Sequence, residues 1–191
     1  MYRRRIPVVE KKTTSPPPGN CIKAEVSRIV NAQDRLKDDC EVSCQSSIEQ
    51  LRSQYKDSDL SPAHTTIPFI LYCQHTCQPF IGSGVFKTPM NEESVPFFGC
   101  VESPIFRAKK FTKDHSNCVI LELLLPVTEN CDIPNLSMNT GSDVCPFFPK
   151  DNPITDFLAT GICLTVDLDS FNGITCLDPL TPIPSNEFPP L

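Results

Sequence analysis

Eleven cysteines and three histidines form the reactive inventory of this chain, and thiols can ligate soft metals, attack electrophiles or cross-link. Metal ligation needs converging spacings, and zinc sites usually announce themselves as paired C-x-x-C. No C-x-x-C occurs. The nearest constellation is Cys73-Gln74-His75-Thr76-Cys77, where a strand would set two thiols and an imidazole on one face for zinc or copper. That is a weak signature, and Cys73 packs equally well as a small core residue. A cysteine nucleophile needs an imidazole beside it. His64, His75 and His115 fall in loop-like or strand-end settings, and no G-x-S-x-G elbow or acid–base pair stands out. Enzymatic chemistry has no motif here, and no cofactor is implied.

Cross-linking remains. Dense cysteine normally marks a small secreted domain stapled by disulfides. A chain of 191 residues can bury a core without staples, and residues 1–20 hold no apolar run suited to a signal peptide. The expectation is a protein made with reduced thiols in a cytoplasm and joined later, partly between chains. An odd count leaves at least one thiol with no partner in its own chain. Cys40 and Cys44, four apart on a helix, are poorly placed to bond each other, so each bonds elsewhere or stays free.

The elements that position these thiols are legible in outline. Residues 1–19 end in Ser15-Pro16-Pro17-Pro18-Gly19 and read as a basic, Pro-rich tail. From Cys21, apolar residues at Ile22, Val26, Ile29, Val30 and Leu36 predict an amphipathic helix to about residue 38, its stripe reaching Cys40 and Cys44. A second short helix is possible around 48–51, and 53–64 reads as a polar loop. Beyond residue 65 the period falls to two. Strands are expected at 67–73, 79–82, 97–101, 105–111, 118–125, 157–160, 162–168 and 174–177. Gly82-Ser83-Gly84 and Asn172-Gly173 read as turns between them. Residues 126–153, with Cys131 and Cys145, read as a long inserted loop, and 181–191 as a Pro-rich tail. The fold class is mainly β, a β-sandwich or jelly-roll-like body over 20–180 with one N-terminal helix.

Strand alternation orients some thiols. Ile162, Leu164, Val166 and Leu168 share a core face, so Cys163, Thr165 and Asp167 point outward. Val119, Leu121, Leu123 and Leu125 do the same, leaving Cys118 outward beside Ile120 and Glu122. Cys73 follows Ile67, Phe69 and Leu71 on a buried face.

Charge and hydropathy narrow the partners. Net charge is −6, and residues 1–12 carry +4, so the rest carries −10. An acidic body argues against nucleic acid, and no stretch approaches the roughly 20 apolar residues of a membrane helix.

Several segments together resemble one family. Ile67-Pro68-Phe69-Ile70-Leu71-Tyr72, Ser103-Pro104-Ile105-Phe106-Arg107, Cys163-Leu164-Thr165-Val166-Asp167-Leu168 and Ile174-Thr175-Cys176-Leu177 are similar in kind and order to CotY, CotZ and ExsY, cysteine-rich spore coat and exosporium proteins. So are the helix led by Cys21 and closed by Cys40 and Cys44, and the Cys118 strand. The resemblance implies a self-assembling structural subunit of the coat, its crust or the exosporium. Such a subunit is made in the mother cell and bonded by disulfides to its own copies and other spore proteins. Cys21, Cys40, Cys44, Cys118, Cys163 and Cys176 are then the cross-link candidates, with Cys73, Cys77, Cys100, Cys131 and Cys145 of open state. The chain departs from its relatives in the 126–153 insertion, a longer basic N-terminus, and the lack of cysteines around Phe171.

Overall fold

A computed structural model describes residues 21–33, 42–54, 64–87, 98–113, 117–130, 132–133 and 143–185. The chain divides into two units, Met1–Cys40 and Glu41–Leu191. The first contributes helix α1, Cys21–Gln33, with Val26, Ile29 and Val30 at one-turn spacing and an Arg28–Glu25 ion pair at 2.8 Å. The expected continuation to residue 38, and the proline boundary at 19, lie outside the described residues.

The second unit is mainly β. After helix α2, Cys44–Ser53, come β1 Phe69–Cys73, β2 Gly82–Lys87, β3 Phe98–Ser103, β4 Phe106–Phe111, β5 Cys118–Thr128, β6 Ile154–Asp167, β7 Phe171–Cys176 and β8 Ile183–Pro184. They divide unevenly, into a six-stranded sheet ordered β7-β1-β4-β5-β6-β8 and a two-stranded ribbon, β2-β3. All pairings are antiparallel except β6 with β8. In place of two matched sheets, a narrow ribbon lies over part of a broad sheet.

β5 explains the layering. From Val119 to Val127 it is apolar at almost every position, the pattern of a strand covered on both faces. Its odd residues Val119, Leu121 and Leu123 pack with Leu71 and Phe106, and Leu125 and Val127 pack with Leu158 beneath Val101 of the ribbon. Phe80 stacks on Phe106 at 5.4 Å and closes that face. On the opposite face Leu124 packs with Ile70, Ile105, Phe157 and Ala159, covered by Val144 and Phe148. That cover comes from the segment read as a bare loop. β5 runs on through Pro126 to Thr128, and a single 3-10 turn, Cys145–Phe147, buries Phe147 completely. Cover stops short of Cys118, Ile120 and Glu122. The C-terminal reading also shifts, because Pro182 is buried and Ile183 pairs with Leu158. Residues 181–185 therefore belong to the body, with Pro184 at an edge where its missing N–H is tolerated.

Two glycine motifs need correction. Gly82-Ser83-Gly84 opens β2, and Asn172-Gly173 lies inside β7. Close approach, not turning, explains the first. A Cβ on Gly82 would sit 2.7 Å from the Phe106 ring and 2.8 Å from Leu164, and one on Gly84 would collide with Ile162. Only bare backbone lets the ribbon settle on the sheet.

At the sheet centre a buried carboxylate ties three strands together. Glu122 is 3% exposed. Its Oε2 accepts from Arg107 Nε at 2.9 Å and Nη2 at 2.8 Å and pairs with Lys109 Nζ at 3.0 Å, while Oε1 accepts from Gly161 N at 3.0 Å. Gly161 has a φ of 74° and sits in a bulge, since Glu122 pairs with Cys163 but Leu124 with Ala159. The Thr160 hydroxyl donates to Leu123 O at 2.9 Å and accepts from Ile162 N at 3.0 Å, so it bridges the two strands across the bulge. Burial pushes the Glu122 pKa up, but the hydrogen bonds from Lys109, Arg107 and Gly161 outweigh it and hold it below the ordinary value.

Two outcomes follow from this packing. Gly84→Ala should destabilise the fold by about 1–3 kcal/mol, the usual cost of overpacking, with partial recovery in the Gly84→Ala/Ile162→Ala double variant, read from denaturant midpoints. Glu122→Gln should cost about 2–4 kcal/mol near neutral pH. Because the folded-state pKa is depressed, the wild-type advantage is present above the unfolded carboxylate value and lost as pH falls through the folded one. Melting curves of both proteins should converge on acidification below about pH 4.

Candidate functional site

The thiols occupy two kinds of position, one closed and several open. The closed one is built on α2. Ser43 is its N-cap, with an extended backbone. The Ser43 side chain accepts from Ser46 N at 3.0 Å while Ser43 N donates to Ser46 Oγ at 2.9 Å, a reciprocal cap that starts the helix at Cys44. Cys44, Ser47, Ile48 and Leu51 share one helical face. Ser47 is buried, its hydroxyl 2.8 Å from Ser43 O and 2.9 Å from Leu177 O. Beside that contact Cys44 is bonded to Cys176, 132 residues away, at the buried end of β7. Both were cross-link candidates, and nothing in the sequence paired them. Cys44 does bond elsewhere than to Cys40.

The open positions surround the sheet. Cys163 is exposed on β6, opposite Glu122, and Cys118 is half-buried, opposite Asp167. Glu122 shares their face but is itself buried by its cationic partners. Cys100 is exposed on the ribbon. Cys145 is exposed beside Asp143. A hydrogen bond to the Asp143 carboxylate, helped by its charge, pushes the Cys145 thiol pKa up, while the N–H of Cys145, 3.2 Å from Oδ1, helps hold Asp143 down. A thiol kept protonated is a slower nucleophile than a thiolate.

Cys73 is half-buried and Cys77 exposed, and they do not form the ligand set that continued alternation would give. β1 ends at Cys73, its register with β7 shifts between Tyr72 and Cys73, and Cys73 N donates to Gln78 O. The chain therefore turns back at 74–76, which carries His75 out to the exposed turn. Cys77 holds a φ of 54° and has Asn172 Nδ2 3.7 Å from its sulfur. Among the described residues no group of three or more His, Cys, Asp or Glu could hold a metal ion. Cys40, Cys131 and the Cys21 side chain lie outside the described residues.

A family model described as Spore coat protein Z matches residues 10–179. A curated Spore coat protein Z of Bacillus subtilis (strain 168) is 25% identical over 171 residues, covering 90% of this chain and 94% of the relative. No solved structure matches the chain significantly.

Cleaving the closed thiol pair should free α2. A ten-residue helix is marginal alone, and in the chain-entropy account a cross-link closing a loop this long contributes about 5 kcal/mol. Reduction, or Cys44→Ser, should lower the melting temperature by about 10 °C. Hydrogen exchange should accelerate across 44–53 and stay slow across 119–127. Unchanged protection of 44–53 after reduction would contradict this account of α2.

Proposed function

The chain belongs to the Spore coat protein Z family, and on that premise we propose that it is a structural, self-assembling subunit of the outer spore layers and not an enzyme. Its copies join one another, and other proteins of the coat, crust or exosporium, through disulfides formed after synthesis in the mother cell. The observation that carries this reading is the distribution of thiols. One pair is consumed inside the chain, while Cys77, Cys100, Cys145 and Cys163 stand exposed around the body. Eleven cysteines less that pair leave nine, an odd number, so at least one must bond outside its chain or stay free. Thiols spread over an exterior suit joining, whereas a nucleophile is held beside its base in a cleft.

Air-oxidised protein should run as large species that survive boiling in detergent and collapse to monomer with reductant, and electron microscopy should show ordered arrays. A single monomer band without reductant would remove the cross-linking role.

A further inference from the structure

The turn after β1 holds two thiols on one short, closed piece of backbone. Cys77 N donates to Cys73 O and Cys73 N donates to Gln78 O, each at 2.9 Å. A hydrogen bond spanning four residues sets their Cα atoms about 6 Å apart, inside the roughly 4.4–6.8 Å that a disulfide bridges. On a helix the Cβ bonds of such a pair run parallel and keep the sulfurs apart. Here the second residue breaks that alignment. Among the described residues Cys77 is the only non-glycine with a left-handed backbone, φ 54°. That conformation usually falls to Gly or Asn, because a Cβ crowds the carbonyl that follows.

The turn is also fastened from outside. Gln74 N donates to Ser170 O at 2.9 Å, and Asn172 Nδ2 lies 3.3 Å from Gln74 O and 3.7 Å from Cys77 Sγ. The two thiols differ in access, Cys77 being exposed and Cys73 half-buried. Thiols joined by so short a tether meet at an effective concentration of about millimolar. At micromolar protein, closure within the chain outpaces bonding to another copy by roughly a thousandfold.

We propose that Cys73 and Cys77 are a thiol–disulfide exchange couple that closes within the turn. Cys77 attacks one sulfur of a small disulfide and releases one small thiol. Cys73 then attacks the mixed disulfide at the Cys77 sulfur and releases the second. Two protein S–H bonds and one small-molecule S–S bond are lost, while one protein S–S bond and two small-molecule S–H bonds form. The couple goes beyond the structural-subunit reading and takes Cys77 out of the thiols that join copies. Eleven cysteines less two closed pairs leave seven, still an odd number.

The test uses the full chain, reduced, then held in graded mixtures of reduced and oxidised glutathione, quenched by alkylation and digested with trypsin without reductant. Residues 57–87 form one tryptic peptide whose two thiols are Cys73 and Cys77. The expected product is that peptide unalkylated and lighter by two hydrogens. Cys73→Ser should trap glutathione on Cys77, an adduct seen only in passing in the parent. The Cys73→Ser/Cys77→Ser double variant should form covalent oligomers at the parent rate. A peptide 57–87 that carries alkyl groups or glutathione at every mixture and never the internal bond would overturn the proposal. So would finding it joined mainly to another cysteine peptide, or loss of covalent oligomers in the double variant, either of which leaves the structural-subunit reading standing. An internal bond in a parent chain that never forms covalent oligomers would support the couple and remove the joining role.

Discussion

The Glu122 carboxylate fixes the register on which the arrangement of the sheet depends. Four donor contacts from the two flanking strands converge on it, and a buried charge that lost them would be costly. Because one of those donors is the Gly161 N–H, the carboxylate also stabilises the bulge in β6. That bulge lets Cys163 face outward while Phe157, Leu158 and Ala159, a few residues earlier, are covered on both sides. A slip of one residue would carry the thiol to the core face and Leu164 to solvent. That Cys163 meets the outside is thus decided by the ion cluster built on the residue across from it.

The sequence was most legible where one face of a strand meets solvent. Ile162 to Asp167 alternates cleanly between half-buried and exposed, as its residue types require. β5 was legible as a strand but not as a doubly covered one, because the cover comes from Val144 and Phe148, in a segment with no periodicity. Glycine misled twice, since the residue that permits a turn also permits close approach, and only the neighbouring Phe106, Leu164 and Ile162 tell the two apart. Cys73, His75 and Cys77 looked like a ligand row because period two was carried past the point where the hairpin ends it. The Cys44–Cys176 pairing was beyond reach, being a long-range contact set by where α2 meets β7. The spore coat family was legible from residues alone, as an ordered series of segments none of which suffices singly.

The body is rigid where its chemistry is sparse and open where it is rich. Ionic, aromatic and aliphatic packing concentrates at β4, β5 and β6, while the free thiols sit on the ribbon, on turns and on the exposed side of strands. Reactive groups placed this way can be oxidised without repacking the core. The hydrogen bond to Asp143 pushes the Cys145 thiol pKa up, which slows its reaction as a nucleophile.

The Cys44–Cys176 bond has a topological consequence. Residues 44 to 176 form a closed covalent ring containing every described strand except β8. A protease that cuts any one peptide bond inside the ring opens a gap but liberates nothing, because the two resulting pieces remain tethered through sulfur. Shedding a fragment requires a second cut or a reductant. Material built from such rings would tolerate isolated backbone breaks without losing mass, a form of damage tolerance independent of how firmly the core is folded.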